Sequence, residues 1–209
     1  MTKVLYTHLI VGRKSTTAWS IVAFLSFMAS GCASPAPPPP SVILIVVDTL
    51  RADHLGLYGH TRPTSPALDR WSRDGKVYEF AHSTSPWTLP TFGSLYTGYL
   101  PTRHRAGFSK QSGNRLSSSV ETLAEHLSQK NFRTGAITNN PFLSASFGLD
   151  RGFEIYDHHQ GNNKEIRRAQ DVIDRALAMI DAWRGDSFFL MIHVFYPHLN
   201  YDAQAKVKG

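Results

Sequence analysis

The chain has almost no cysteine. Cys32 is the only one in 209 residues, so no internal disulfide can form and stability must come from a packed core. Charge of one sign is scarce as well. Of the formal excess of +6, Lys3, Arg13 and Lys14 supply three, and much of the remaining Lys and Arg sits beside acids, as in 165–168 and 171–175. No basic stripe interleaved with aromatics and no zinc-finger spacing is present, which excludes a nucleic-acid partner. Internal repeats are absent. No apolar run reaches the roughly 20 residues that cross a bilayer comfortably; the run at 18–28 falls short. Low hydrophobicity is also missing: 42% hydrophobic against 18% charged residues excludes a disordered chain and fits one domain with a sizeable core.

What is there begins with an address. Arg13-Lys14, the apolar run and then Ala29-Ser30-Gly31-Cys32 make a charged region, a hydrophobic region and small residues at a cleavage point. Small residues directly before a cysteine resemble a bacterial lipoprotein signal, in which Cys32 becomes the lipidated first residue. An ordinary secretory signal and an uncleaved anchor are the alternatives. Residues 33–40, with Pro at 35 and 37–40, form an extended spacer. The expected organisation is a signal peptide at 1–32, a Pro-rich linker at 33–40 and a folded part at 41–209. The expected location is the bacterial cell envelope, lipid-anchored to a membrane.

The folded part alternates strands and helices. Val42-Ile43-Leu44-Ile45-Val46-Val47 is a continuous apolar run, predicted as a strand buried on both faces of a parallel sheet and ending on Asp48. Ser65-Pro66 predicts a helix start, with Leu68 and Trp71 inward and Gly75 as the stop. Residues 77–81 are a short strand candidate. In 85–98, Pro90 suits a first helical turn, Phe92, Leu95 and Tyr96 recur at helical spacing, and Gly98 ends the helix, so Thr88 stands at its start. A helix at 122–130, a strand at 133–138, an ordered loop at 147–157, a long amphipathic helix at 164–184 and a strand at 187–195 follow. This is an α/β layered domain.

Ligands in open α/β sheets sit beyond the carboxyl ends of strands. Asp48 and His198 each follow a strand candidate, and Thr88 follows the one at 77–81. Alone, Asp48 reads as a turn cap, Thr88 as a helix cap and His198 as a turn residue after Pro197. Together, a carboxylate, a hydroxyl among unpaired helix N–H groups and an imidazole suit a metal-activated hydroxyl nucleophile facing an anionic substrate. Asn139, at the end of the 133–138 strand, is a candidate substrate contact. Arg51 is expected to brace the Asp48 loop, Arg103 and His104 to lie in packing or at the surface, and His158-His159 in a solvated loop.

Longer stretches carry a resemblance. The segments 46–59 (VVDTLRADHLGLYG), 64–70 (TSPALDR), 85–98 (SPWTLPTFGSLYTG) with Pro101 and Arg103-His104 behind it, and 188–201 with Tyr196-Pro197-His198 resemble, in order and spacing, the motifs of the sulfatase family within the alkaline phosphatase superfamily. The resemblance implies a layered α/β sandwich with a central, mostly parallel sheet, incomplete at the C-terminus. It implies a divalent metal (Ca, Zn or Mn) with Asp48 and Thr88 as ligands, Thr88 as nucleophile, and His198 and Asn139 at the substrate's oxygens. The implied partner is an anionic ester. The departures are specific. The family's Cys or Ser, converted to formylglycine, is Thr88; the Arg four residues on is Phe92; the second adjacent Asp is Thr49; and a Lys near the strand end is Asn139. A direct Thr nucleophile resembles the phosphodiesterase, phosphonate-hydrolase and phospho-group transferase branches. The expected activity is hydrolysis of sulfate or phosphate/phosphonate esters, with transfer of a phospho group in the envelope and a truncated non-catalytic remnant as alternatives.

Overall fold

The computed structural model describes residues 39–108, 115–159 and 166–198. The leader, Cys32, most of the linker, residues 199–209 and the start expected for the long helix at 164–165 lie outside them.

Four strands form one sheet: β1 (Val42–Val47), β2 (Arg133–Thr138), β3 (Ile155–His158) and β4 (Phe188–Val194). Their order is β1-β4-β2-β3 and every neighbouring pair is parallel. Parallel strands need crossover connections. These hold α1 (Pro66–Trp71), α2 (Thr88–Thr97), α3 (Pro101–His104) and α4 (Leu123–Ser128) between β1 and β2, and α5 (Ala169–Ala182) between β3 and β4. The α/β layered architecture with a parallel central sheet is as the sequence predicts.

Strand alternation sorts the core into two layers. Phe189 and Met191 of β4 and Ala136 of β2 pack with Leu89, Phe92 and Tyr96 of α2 and Ala124 of α4. Phe188, Leu190 and Ile192 point the other way, onto Val172 and Ala176 of α5 and onto Trp183. β4 is therefore buried on both faces. β1 has a neighbour on one side only among the described residues. Its Leu44 and Val46 pack on the α2 layer, while Ile43 and Ile45 are 47% and 54% exposed. The expectation of double burial fits β4 and fails for β1, because α5 covers β2 and β4 and does not reach that far.

Three further expectations are corrected. Residues 77–81 form no strand, and Tyr78 and Phe80 stand in solvent. Trp71 does not face inward; it is the last residue of the six-residue α1, which buries none of its residues, and is 76% exposed. The end of the 147–157 loop is β3, and His158 closes that strand half-buried, its Nδ1 2.7 Å from Thr138 Oγ1, rather than lying in a solvated loop.

The helices near the site end where their chemistry requires. Gly98 stops α2 in the left-handed region (φ 71°), its N–H donating to the Ser94 carbonyl at 2.8 Å. Gly93 lets α2 approach His104, which is fully buried in a packing role: Ser94 Oγ and His104 Nε2 are 3.0 Å apart, and Nδ1 accepts from the Ala106 N–H. Thr122 and Glu125 form a capping box at α4, and Arg151 clamps the Glu125 carboxylate from across the loop.

Candidate active site

β1 delivers Asp48 to the carboxyl edge of the sheet, where its N–H donates to the Val194 carbonyl at 2.9 Å. The next residue, Thr49, sits at φ 54°, a left-handed conformation that is costly for a β-branched side chain. It turns the chain sharply after Asp48, and both residues line the cavity described below.

The loop before α2 is tied to the helix's first turn. The Thr91 hydroxyl reaches the Ser85 and Trp87 carbonyls at 3.0 and 2.9 Å, and Ser83 Oγ donates to the same Ser85 carbonyl. Trp87 is the N-cap, with no side-chain cap bond, and Thr88 is the first helical residue. The Thr88 hydroxyl is therefore not a cap. It accepts from Asn140 Nδ2 at 3.3 Å.

Asn140 joins the two halves of the site. Its Oδ1 accepts from the Phe142 N–H at 2.9 Å, which fixes the amide's orientation, and its Nδ2 donates to both Thr88 Oγ1 and Asp48 Oδ2, the latter at 3.1 Å. Asn139, expected at the substrate, points elsewhere: its amide donates to the Arg167 carbonyl at 2.8 Å and accepts from the Arg167 N–H at 3.1 Å. Both of its ends are used by the backbone before α5. One residue of strand alternation separates the two asparagines, and it is Asn140 that faces Thr88.

Asp48 Oδ2 has a second donor, Nε2 of the buried His193 at 3.2 Å. Burial pushes the Asp48 carboxyl up, but the hydrogen bond and electrostatic pull of the His193 ring, with the Asn140 amide and the more distant His198, outweigh it and hold the carboxyl below its ordinary range. His198 stacks on Phe195 at 4.4 Å between ring centres and lines the same cavity as Asp48, Thr88 and Asn140. That cavity measures about 600 Å³, with Trp87, Phe92, Phe142 and Phe195 among its walls. A second cavity of about 470 Å³, lined by Tyr58, Trp71 and Val77, contains none of these groups. Arg51 forms a two-point pair with Asp53 at 2.9 and 2.6 Å. The 64–70 segment braces the turn after β1: Ser65 Oγ accepts from the Gly56 N–H and Asp69 from the Leu57 N–H.

A divalent metal fits this edge in kind. The Asp48 carboxylate and Thr88 hydroxyl are hard oxygen donors that converge on one N–H donor, a place where positive charge is welcome. They fall short in number: among the described residues no group of three or more His, Cys, Asp or Glu could hold a metal ion.

The parallel sheet between helical layers is the fold found in solved structures of a Bacteroides thetaiotaomicron sulfatase and of an alkaline-phosphatase-superfamily protein from Vibrio parahaemolyticus. The chain belongs to the sulfatase family, whose family model matches residues 40–208. Dog N-acetylgalactosamine-6-sulfatase is 33% identical over 90 residues, 43% of this chain and 17% of that protein. Bovine arylsulfatase A is 31% identical over 146 residues, 64% of this chain and 28% of that protein. The crystal structure of a phosphonate monoester hydrolase from Agrobacterium radiobacter superposes with a TM-score of 0.63 at 16% identity, covering 77% of this chain and 41% of that one. The chain thus spans under a third of these curated relatives.

His193 and Asn140 were not singled out by sequence. Asn140 was hidden by its neighbour. His193 had a visible signal: a lone imidazole in an otherwise apolar strand run, FFLMIHVF.

Proposed function

We propose that this chain carries the nucleophile of a sulfatase-type ester hydrolase, acting on sulfate or phosphate/phosphonate esters through the Thr88 hydroxyl. The observation that carries it is the Thr88 hydroxyl itself, at a helix start, released from capping, and held by the same Asn140 amide that holds Asp48.

A divalent metal, when bound by Asp48 and Thr88, would lower the hydroxyl's proton affinity and neutralise charge on the ester's oxygens. The other roles belong to this chain's residues. Thr88 Oγ1 attacks sulfur or phosphorus; the new O–S or O–P bond forms as the ester's bond to its alcohol breaks, and the alcohol leaves with a proton. Asn140 orients Oγ1 before attack. His198 donates to the anionic oxygens. The unpaired N–H groups at the start of α2 favour the same negative charge. Water then cleaves the Thr88 ester and restores the hydroxyl. Direct attack, rather than formylglycine chemistry, follows from the residue type, because Thr cannot be oxidised to an aldehyde. Phe92, buried with 3% of its surface exposed, fills the place of the family's arginine with hydrocarbon. A second reading, transfer of a phospho group to another alcohol in place of water, is favoured by the same Thr88. Cys32 and the leader would put either activity at the cell envelope.

Turnover of aryl sulfates, phosphates and phosphonates, with and without divalent metal, assigns the branch. Thr88→Ala is expected to lose activity by about a thousandfold or more. Unchanged turnover would show that Thr88 is not the nucleophile.

A further inference from the structure

β4 is apolar and buried until His193 interrupts it with a fully buried imidazole. Its ring makes one hydrogen bond, Nε2 to Asp48 Oδ2, and its Nδ1 is buried with no partner. Phe92 and Phe195 flank the ring edge-on, with centres 5.4 and 6.3 Å away. A buried polar atom without a partner is destabilising, and a phenyl or isobutyl group would fill this space without that cost. Folding alone therefore does not explain a histidine here. What offsets the cost lies at Asp48.

The sheet register makes the contact unavoidable. Val46 of β1 pairs with His193, so the imidazole and the Asp48 carboxylate two residues on share one face of the sheet. Both donors to the carboxylate, Asn140 from one element and His193 from another, fall on Oδ2. That fixes the carboxylate's rotation and leaves Oδ1 for a ligand. With Thr at position 49, no second carboxylate follows Asp48 in the chain to share the task.

We infer that His193 is a positioning residue that holds the Asp48 carboxylate in its cation-binding orientation. This rests on the proposal that Asp48 is a metal ligand. Donors behind a ligating carboxylate typically tune metal affinity by about 10–100-fold. The test is calorimetric titration of the chain with Mn²⁺, for wild type, His193→Phe, His193→Gln and Asp48→Asn. His193→Phe should weaken Mn²⁺ binding by about 10–100-fold, while its unfolding in the absence of metal shows it folded. His193→Gln, whose amide N–H can take the place of Nε2–H, should restore most of the affinity. A purely packing role leaves His193→Phe at wild-type affinity, and that result overturns the inference. So does His193→Gln binding as weakly as His193→Phe. Should His193→Phe fail to fold, His193→Leu against His193→Gln decides in the same way. If Asp48→Asn binds Mn²⁺ like wild type, or wild type binds none, the ligand assignment falls and the inference with it. If Asp48→Asn abolishes binding while His193→Phe preserves it, the inference alone falls.

Discussion

Replacing Asn140 by Asp changes one atom that matters. The residue is 2% exposed, and its Oδ1 already accepts from the Phe142 N–H, a bond that a carboxylate keeps. The other oxygen then replaces Nδ2, which lies 3.1 Å from Asp48 Oδ2. An attraction becomes a repulsion of ~5 kcal/mol between two full charges at an effective dielectric constant of about 20. The pair has a cheaper course, uptake of one proton. For a carboxyl that ordinarily titrates near 3.9, this costs about 4 kcal/mol at pH 7. The cheaper course sets the loss, so Asn140→Asp should destabilise the chain by about 4 kcal/mol at pH 7. The folded variant then binds a proton that the unfolded chain releases, so its stability falls as pH rises and recovers towards about pH 4. A divalent cation between the carboxylates removes the repulsion, so Mn²⁺ should stabilise the variant more than wild type. Urea unfolding followed by tryptophan fluorescence, with EDTA or excess Mn²⁺, measures each part. Equal stability of variant and wild type at neutral pH in EDTA would refute the placement of the Asn140 amide between Asp48 and Thr88.

Two further outcomes concern the scaffold. A Cβ on Gly93 would lie 2.5 Å from Cε1 of the buried His104, so Gly93→Ala should lower stability by about 1–3 kcal/mol in thermal unfolding. The Arg151 hydrogen bonds hold the Glu125 carboxyl below its ordinary 4.5 despite some burial, and the Thr122 N–H adds to the effect. That stabilisation is present above the unfolded value and is lost as pH falls through the folded one. Arg151→Met should therefore cost about 1–3 kcal/mol at neutral pH and flatten the acid limb of the stability profile.

The elements near the site were legible because their signals are local. An apolar run ending on Asp48, and Pro90 early in a helix with Gly98 behind it, each prescribe their own conformation. What failed was decided at a distance. β1 and β4 carry similar apolar runs, and only sheet order makes one central and the other an edge among the described residues. Asn139 and Asn140 are the same residue type side by side; the last turn of strand alternation sends one to Arg167 and the other to Thr88. His193 lies 145 residues from Asp48 and meets it only through the β1–β4 register. Trp71 has the spacing of a core residue on a helix too short to impose it.

Asp48 rides on β1, whose ladder with β4 is its one sheet pairing among the described residues. Such a strand can open locally at less than the free energy of global unfolding. Thr88 and Asn140 belong to elements rooted in the core layer of α2, which is also held by β4, β2 and α4. A ligand bridging Asp48 and Thr88 therefore pins a detachable strand to a fixed helix, and the strand's closing equilibrium and the site's occupancy become one linked quantity. Amide hydrogen exchange along residues 42–47 is in this sense a gauge of the candidate site: a bridging ligand should slow it, and a substitution that leaves β1 open much of the time weakens ligand binding in proportion to the closed fraction that remains.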